Sequence, residues 1–219
     1  MLRDLATRTT AAKRKARATD KRRMRLLLVV LVPVLVFSAW QYWRREANED
    51  RLALAASEVA HRQVDVSCPG FWARLVEITP YAGSVDFDEH GRPGDTTQLS
   101  AATCRSLEGV WRGDSGFACL RDGGCGGDTL RAVHGLVTLA HEGWHLRGVT
   151  VEAETQCYAI QTVEEVAIGL GVSPPEARLV AEWVAADDAA RPADDYHSPE
   201  CRPGGSYDLR PDTRDWPSG

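Results

Sequence analysis

No Cys-x-x-Cys pair occurs in the 219 residues, which removes the usual signature of a zinc site built on thiolates. Cysteine is also missing from the whole N-terminal part: all six (Cys68, Cys104, Cys119, Cys125, Cys157 and Cys201) lie at or beyond position 68. An even number confined to the distal part of the chain speaks for an exported domain held by disulfides. Their pairing stays open. Cys119 and Cys125 could close a small loop, Cys157 with Cys201 would pin the C-terminal tail, and that leaves Cys68 with Cys104. Two ligand-binding loops are missing as well. The glycine-rich run at 122–128 lacks the Lys-Ser/Thr of a phosphate loop. Asp86, Asp88 and Gly91 make the start of a calcium loop, but no glutamate stands at the distance such a loop requires.

Charge is absent from one long stretch, residues 26–43, which reads LLLVVLVPVLVFSAWQYW. Eighteen residues are near the lower limit for a membrane-spanning helix, within which Pro33 is tolerated. Trp40, Tyr42 and Trp43 cluster at one end as an interfacial aromatic belt does. The overall net charge of −5 hides an asymmetry around this span. Residues 1–25 hold ten of the 26 Lys and Arg against only Asp4 and Asp20, a net of +8, which leaves −13 for the remainder. A basic arm of that kind could suggest nucleic acid. Ahead of an apolar span it is instead a topology determinant that predicts a cytoplasmic N-terminus and can touch anionic lipids. A cleaved signal peptide is the alternative, but no small-x-small site follows the apolar run closely. The expected organisation is a basic cytoplasmic arm (1–25), a single transmembrane helix (26–43), a stalk or first helix (44–66) and an extracytoplasmic domain (67–219). No nucleic-acid partner is expected.

What is present is concentrated in one stretch. His141, Glu142 and His145 spell H-E-x-x-H. Positions i and i+4 of a helix share a face one turn apart, so two imidazoles can hold one metal ion, and the glutamate between them can take a proton from water at the metal. Residues 130–146 are largely apolar and free of proline, with the cap-type residues Asp128 and Thr129 before them. His134, seven residues before His141, shares this helix face two turns back and is expected to serve in the core or behind the ligands. After Gly148 a second helix is expected over 151–170, and Glu152 or Glu154 could supply a third ligand.

This arrangement resembles the gluzincin-type zinc metallopeptidases, in which an H-E-x-x-H helix is followed by a second helix carrying a ligand glutamate. The likeness covers about residues 128–169, less than a fifth of the chain. It implies Zn²⁺ held by His141, His145 and Glu152, with Glu142 as general base. Four residues after the ligand glutamate, several branches place a polar residue that braces the site; Gln156 stands there, where Asp is more usual. Glu154 points about 200° away from Glu152 on a helix, so the two cannot both serve. Metzincins are the rival pattern, and Gly148 fits their glycine. Their third ligand would then fall on Val151, which cannot bind metal.

The rest of the chain supplies a frame. Residues 81–87 look strand-like and 88–94 form a turn that includes His90, while residues 100–111 read as a short helix with Ser100 as its cap. Gly113-Asp114-Ser115-Gly116 matches the nucleophile tetrad of trypsin-like serine peptidases. Only His61 and His90 stand upstream of it, amid largely helical patterning, so it reads as a polar loop. Ser173-Pro174-Pro175-Glu176 fits a capping box ahead of a third helix from Ala177 to about residue 190. In the coil-rich tail His197 could approach the cleft and bind a developing oxyanion; Tyr158, Tyr196 and Tyr207 compete for that role.

The expectation is therefore a mainly helical, zincin-like domain with minor strand content on a plasma-membrane anchor, acting on peptide or protein substrates. Two alternatives belong to other classes. One is a zinc-binding but catalytically silent zincin-like domain, favoured by the lack of clear strand signals before the metal helix. The other is a metal-free, disulfide-rich interaction protein of the cell envelope.

Overall fold

A computed structural model describes residues 2–70, 73, 81–213 and 215–217, with side chains from residue 28 onward. The apolar stretch 71–78, which from its sequence could begin the folded core, falls almost wholly outside the described residues. Five α-helices and a three-stranded sheet follow in the order α1 (Leu2–Ala60), β1 (Asp65–Ser67), β2 (Gly83–Phe87), β3 (Pro93–Leu99), α2 (Ala101–Trp111), α3 (Gly127–Leu146), α4 (Glu152–Gly169) and α5 (Pro174–Ala189). The chain divides into two units, residues 1–44 and 45–219. In the first, the apolar side chains from Leu28 to Phe37 that are described stand exposed, Val29 at 70% and Leu35 at 65%. Among the described residues no helix is long and apolar enough to cross a membrane; the side chains of residues 26 and 27, the start of the expected span, lie outside them.

The second unit is built on the H-E-x-x-H helix. α3 packs against α2 and α4, and α5 covers α4. Val133, Leu136, Leu139 and Ala140 of α3 are fully buried with Leu107 of α2, Ile160 and Val163 of α4 and Val180 of α5. The last part of α1 belongs to this core and is no free stalk, since Leu52, Ala55, Ala56 and Val59 are buried in it. Its approach to α3 depends on Gly143, where a Cβ would stand 2.8 Å from the Cβ of Val59. Any side chain there would push the two helices apart.

Polar contacts then fix the end of α3. Arg62 donates to the carbonyl oxygen of Leu146 at 3.0 and 3.1 Å and to that of Gly94 at 2.5 Å, and also pairs with Asp95. A cation against the terminal carbonyls suits the negative end of a helix, and here it also ties α3 to the sheet. Trp144 Nε1 donates to Thr162 Oγ1 at 3.0 Å, linking α3 to α4. The sheet order is β1-β3-β2, with β1 parallel and β2 antiparallel to β3, so β2 lies at an edge.

Helix boundaries differ from the expected ones for local reasons. α3 begins at Gly127, ahead of Asp128, which sits in the first turn and pairs with Arg131 instead of capping. α5 begins at Pro174, because prolines in the first turn lose no intrahelical bond. Ser173 makes no side-chain bond to the backbone of α5; its hydroxyl donates to Glu176 at 2.7 Å, and the other oxygen of Glu176 accepts from the Phe117 amide. Ser100 does cap α2, accepting from Thr103 N. Three disulfides join Cys68 to Cys104, Cys119 to Cys125 and Cys157 to Cys201. The last fastens the tail to α4.

Candidate metal centre

α3 and the first turn of α4 bring three electron-pair donors together. His141 Nε2 lies 3.0 Å from His145 Nε2 and 3.0 Å from Glu152 Oε2, and His145 Nε2 lies 3.3 Å from the same oxygen. The opposite nitrogens are both engaged. His145 Nδ1 donates to the Val149 carbonyl oxygen at 2.8 Å, and His141 Nδ1 faces Gln156 Oε1 at 3.1 Å. A carbonyl oxygen can only accept, so each Nδ1 carries a proton, and a ring in its neutral form then presents a bare lone pair from Nε2. Burial, and next the neighbouring His145, lower the pKa of His141, which favours that neutral form. With both rings neutral, two lone pairs and a carboxylate oxygen converge, an arrangement that repels itself unless a cation or a shared proton sits among them. Ligands at the usual zinc distances of about 2.0–2.1 Å in a tetrahedron stand about 3.3 Å apart, close to the separations here. The donor set fits a metal, and imidazole with carboxylate suits zinc.

Glu142 lies beside this group, only 4% exposed, with its Oε2 buried and without a hydrogen-bond partner. Burial first, and the charge of Glu152 second, push its pKa up to about 8. The Thr97 hydroxyl, which also bonds the Ser84 carbonyl oxygen at 3.0 Å, offsets part of this. β2 reaches the carboxyl because residue 83 is glycine: a Cβ there would lie 2.7 Å from Glu142 Oε1.

A cavity of about 500 Å³ opens onto His141, Glu142, His145 and Glu152. Gly83, Ser84, Val85 and Phe87 of β2 line one wall. Successive residues of a strand point to opposite faces, so lining by 83, 84 and 85 in a row means that the strand's edge, not a face, borders the cavity. Aromatic rings flank the two imidazoles: Phe87 stands edge-on to His145 at 5.8 Å between centroids, and Tyr196 lies 5.9 Å from His141.

The four competitors for an oxyanion role separate here. Tyr196 lines the cavity, and its pKa is raised by burial, then by Glu152 and Glu142. Tyr158 donates to Glu154 at 2.9 Å and packs on Trp144, which also removes Glu154 from the ligand set. Tyr207 stands edge-on to Tyr158, and His197 turns toward Asp188 and Asp194. His134 is not behind the ligands. It is exposed and faces Trp183 of α5, because two helical turns carry it about 10 Å from His141 along the axis. Gly83, Thr97, Phe87 and the Val149 carbonyl were not anticipated; an edge strand's contacts and a backbone acceptor leave no mark in residue type. Comparison with known proteins returned no matching family model, no matching curated protein and no matching solved structure, so the case for this site stands on its own geometry.

Proposed function

We propose that this chain is a zinc-dependent metallopeptidase, anchored in the plasma membrane with its N-terminus cytoplasmic and residues 45–219 extracytoplasmic. The observation that carries the reading is the convergence of His141 Nε2, His145 Nε2 and Glu152 Oε2 with both opposite nitrogens held, beside a buried, unpartnered Glu142 oxygen. Zinc held there supplies Lewis acidity, which polarises a peptide carbonyl and acidifies water. Glu142 takes the proton from the attacking water and passes it to the leaving amine. Tyr196, on the wall facing the same space, offers a hydroxyl to the oxygen that gains charge. The free edge of β2 can pair with an extended substrate backbone, as exposed strand edges do with added strands. That edge bears on the argument for a silent domain from the lack of clear strand signals before the metal helix. The exposed aromatic residues Tyr81, Phe87 and Tyr196 all line the cavity, which suits apolar side chains flanking the cleaved bond.

The test is metal content and peptide cleavage of the purified chain. One zinc per chain is expected in wild type, with sharp weakening in Glu152→Gln. Glu142→Gln should keep zinc and lose about 10²-fold or more in kcat, the usual range for a positioned base. Wild type that takes up no zinc under oxidising, chelator-free conditions sinks the reading. Zinc without cleavage of any peptide would leave the silent domain.

A further inference from the structure

The segment that brings Tyr196 to the cleft is fastened at a point that has no part in the metal centre. Asp194 Oδ1 accepts from the backbone amides of Tyr196 and His197 at 2.8 and 2.9 Å, and from His197 Nδ1 at 2.7 Å. On its other side the His197 ring places Nε2 3.5 Å from Asp188 Oδ1, in the last turn of α5, within ion-pair reach of an oxygen that is buried and has no hydrogen-bond partner. The ring is 14% exposed and Asp188 is buried. Behind the ring lies a cavity of about 310 Å³ lined by Asp188, Arg191, Ser198 and Arg202 among others. The remaining charges nearby are Asp187, which takes up Arg191 at 2.6 Å, and the exposed Asp195. Four residues beyond His197, the bond from Cys201 to Cys157 stops the tail from drifting far, but it does not orient residue 196.

We propose that Asp188, His197 and Asp194 form a clamp whose task is to hold Tyr196 over the metal cavity. His197 is a positioning residue: it bridges α5 to the loop at 194–197 and acts on the reaction only through Tyr196. The catalytic half of this inference rests on the metallopeptidase reading; the clamp itself does not.

The experiment compares wild type, His197→Ala, Tyr196→Phe and the double variant as full-length protein, with Asp188→Asn as a second way to open the clamp. Amide hydrogen exchange, zinc content, and kcat and KM on a quenched-fluorescent peptide library are read for each. In His197→Ala, exchange at residues 194–197 should rise about tenfold or more, the effect of losing a charge-assisted hydrogen bond, with zinc content and exchange elsewhere unchanged. kcat should fall as it does in Tyr196→Phe, with KM within about twofold, and the double variant should lose no more than Tyr196→Phe alone. Unchanged exchange at 194–197, or losses that multiply in the double variant, overturns the proposal. Should His197→Ala raise exchange throughout the chain, Asp188→Asn carries the same comparison. If wild type cleaves nothing in the library, the peptidase reading falls, and the exchange data alone decide whether the clamp exists.

Discussion

Glu142 is a carboxyl group withdrawn from water next to another carboxylate, and that has a consequence for the metal-free protein. Its pKa of about 8, against an ordinary 4.5, means that the folded chain holds a proton which the unfolded chain releases. Between those two values the contribution of Glu142 to stability falls as pH rises, because at this group the unfolded state binds fewer protons, while the lowered pKa of His141 works in the opposite direction. In chelator-treated protein the pH slope of the melting temperature should therefore be more negative in wild type than in Glu142→Gln between pH 5 and pH 8. Thermal melts across the pH series decide it; an equally steep decline in the variant would mean that other groups set the slope. Zinc should itself reduce the slope, since a cation nearby favours the ionised carboxyl. At this scale much of the site was legible. The spacing of His141, Glu142 and His145 follows from helix geometry alone, while the choice of Glu152 over Glu154 and the bracing place of Gln156 rest on the likeness to gluzincins. What acts through the backbone was not: the Val149 carbonyl could belong to any residue, and the role of Gly83 is the lack of a side chain.

Among the elements, the long apolar helices could be read and the sheet mostly could not. α3 and α4 carry enough buried residues at helical spacing to declare themselves. β3 reads Pro-Gly-Asp-Thr-Thr-Gln-Leu, and only its last three residues alternate between buried and exposed. β1 is three residues long. β3 exists because β1, β2 and α3 offer it partners, and β1 because β3 does, so nothing local announces them. The contact between α1 and α3 is of the same kind: Gly143, one of the unspecified positions of the H-E-x-x-H motif, is where the backbone of α3 meets Val59. Gly143→Ala would force an overpacked core, costing about 1–3 kcal/mol even though alanine favours a helix. Denaturant unfolding of the metal-free protein measures this. A neutral or stabilising substitution would show that α1 can give way there.

For the molecule as a whole, two kinds of surface meet in one chain. Residues 45–219 bury a core of aliphatic side chains from five helices and three strands, closed by three disulfides. Residues 28–37 do the opposite and leave a row of Leu, Val and Phe side chains exposed. A soluble protein rarely exposes a continuous apolar surface of that kind unless something covers it. On the anchor reading proposed above a lipid bilayer is the cover, since the ten basic residues at 1–25 precede the row in sequence and the acidic remainder follows it. The proposed cytoplasmic arm and exported domain would also place every cysteine where disulfides persist. The full chain should therefore sediment with liposomes containing anionic lipid and resist extraction by high salt, which releases proteins held by charge alone. A chain beginning at residue 45 should stay in the supernatant with its zinc uptake intact. Release of the full chain by salt would reduce the N-terminal segment to an electrostatic tether, and loss of zinc uptake from the shortened chain would make that segment part of the folded unit.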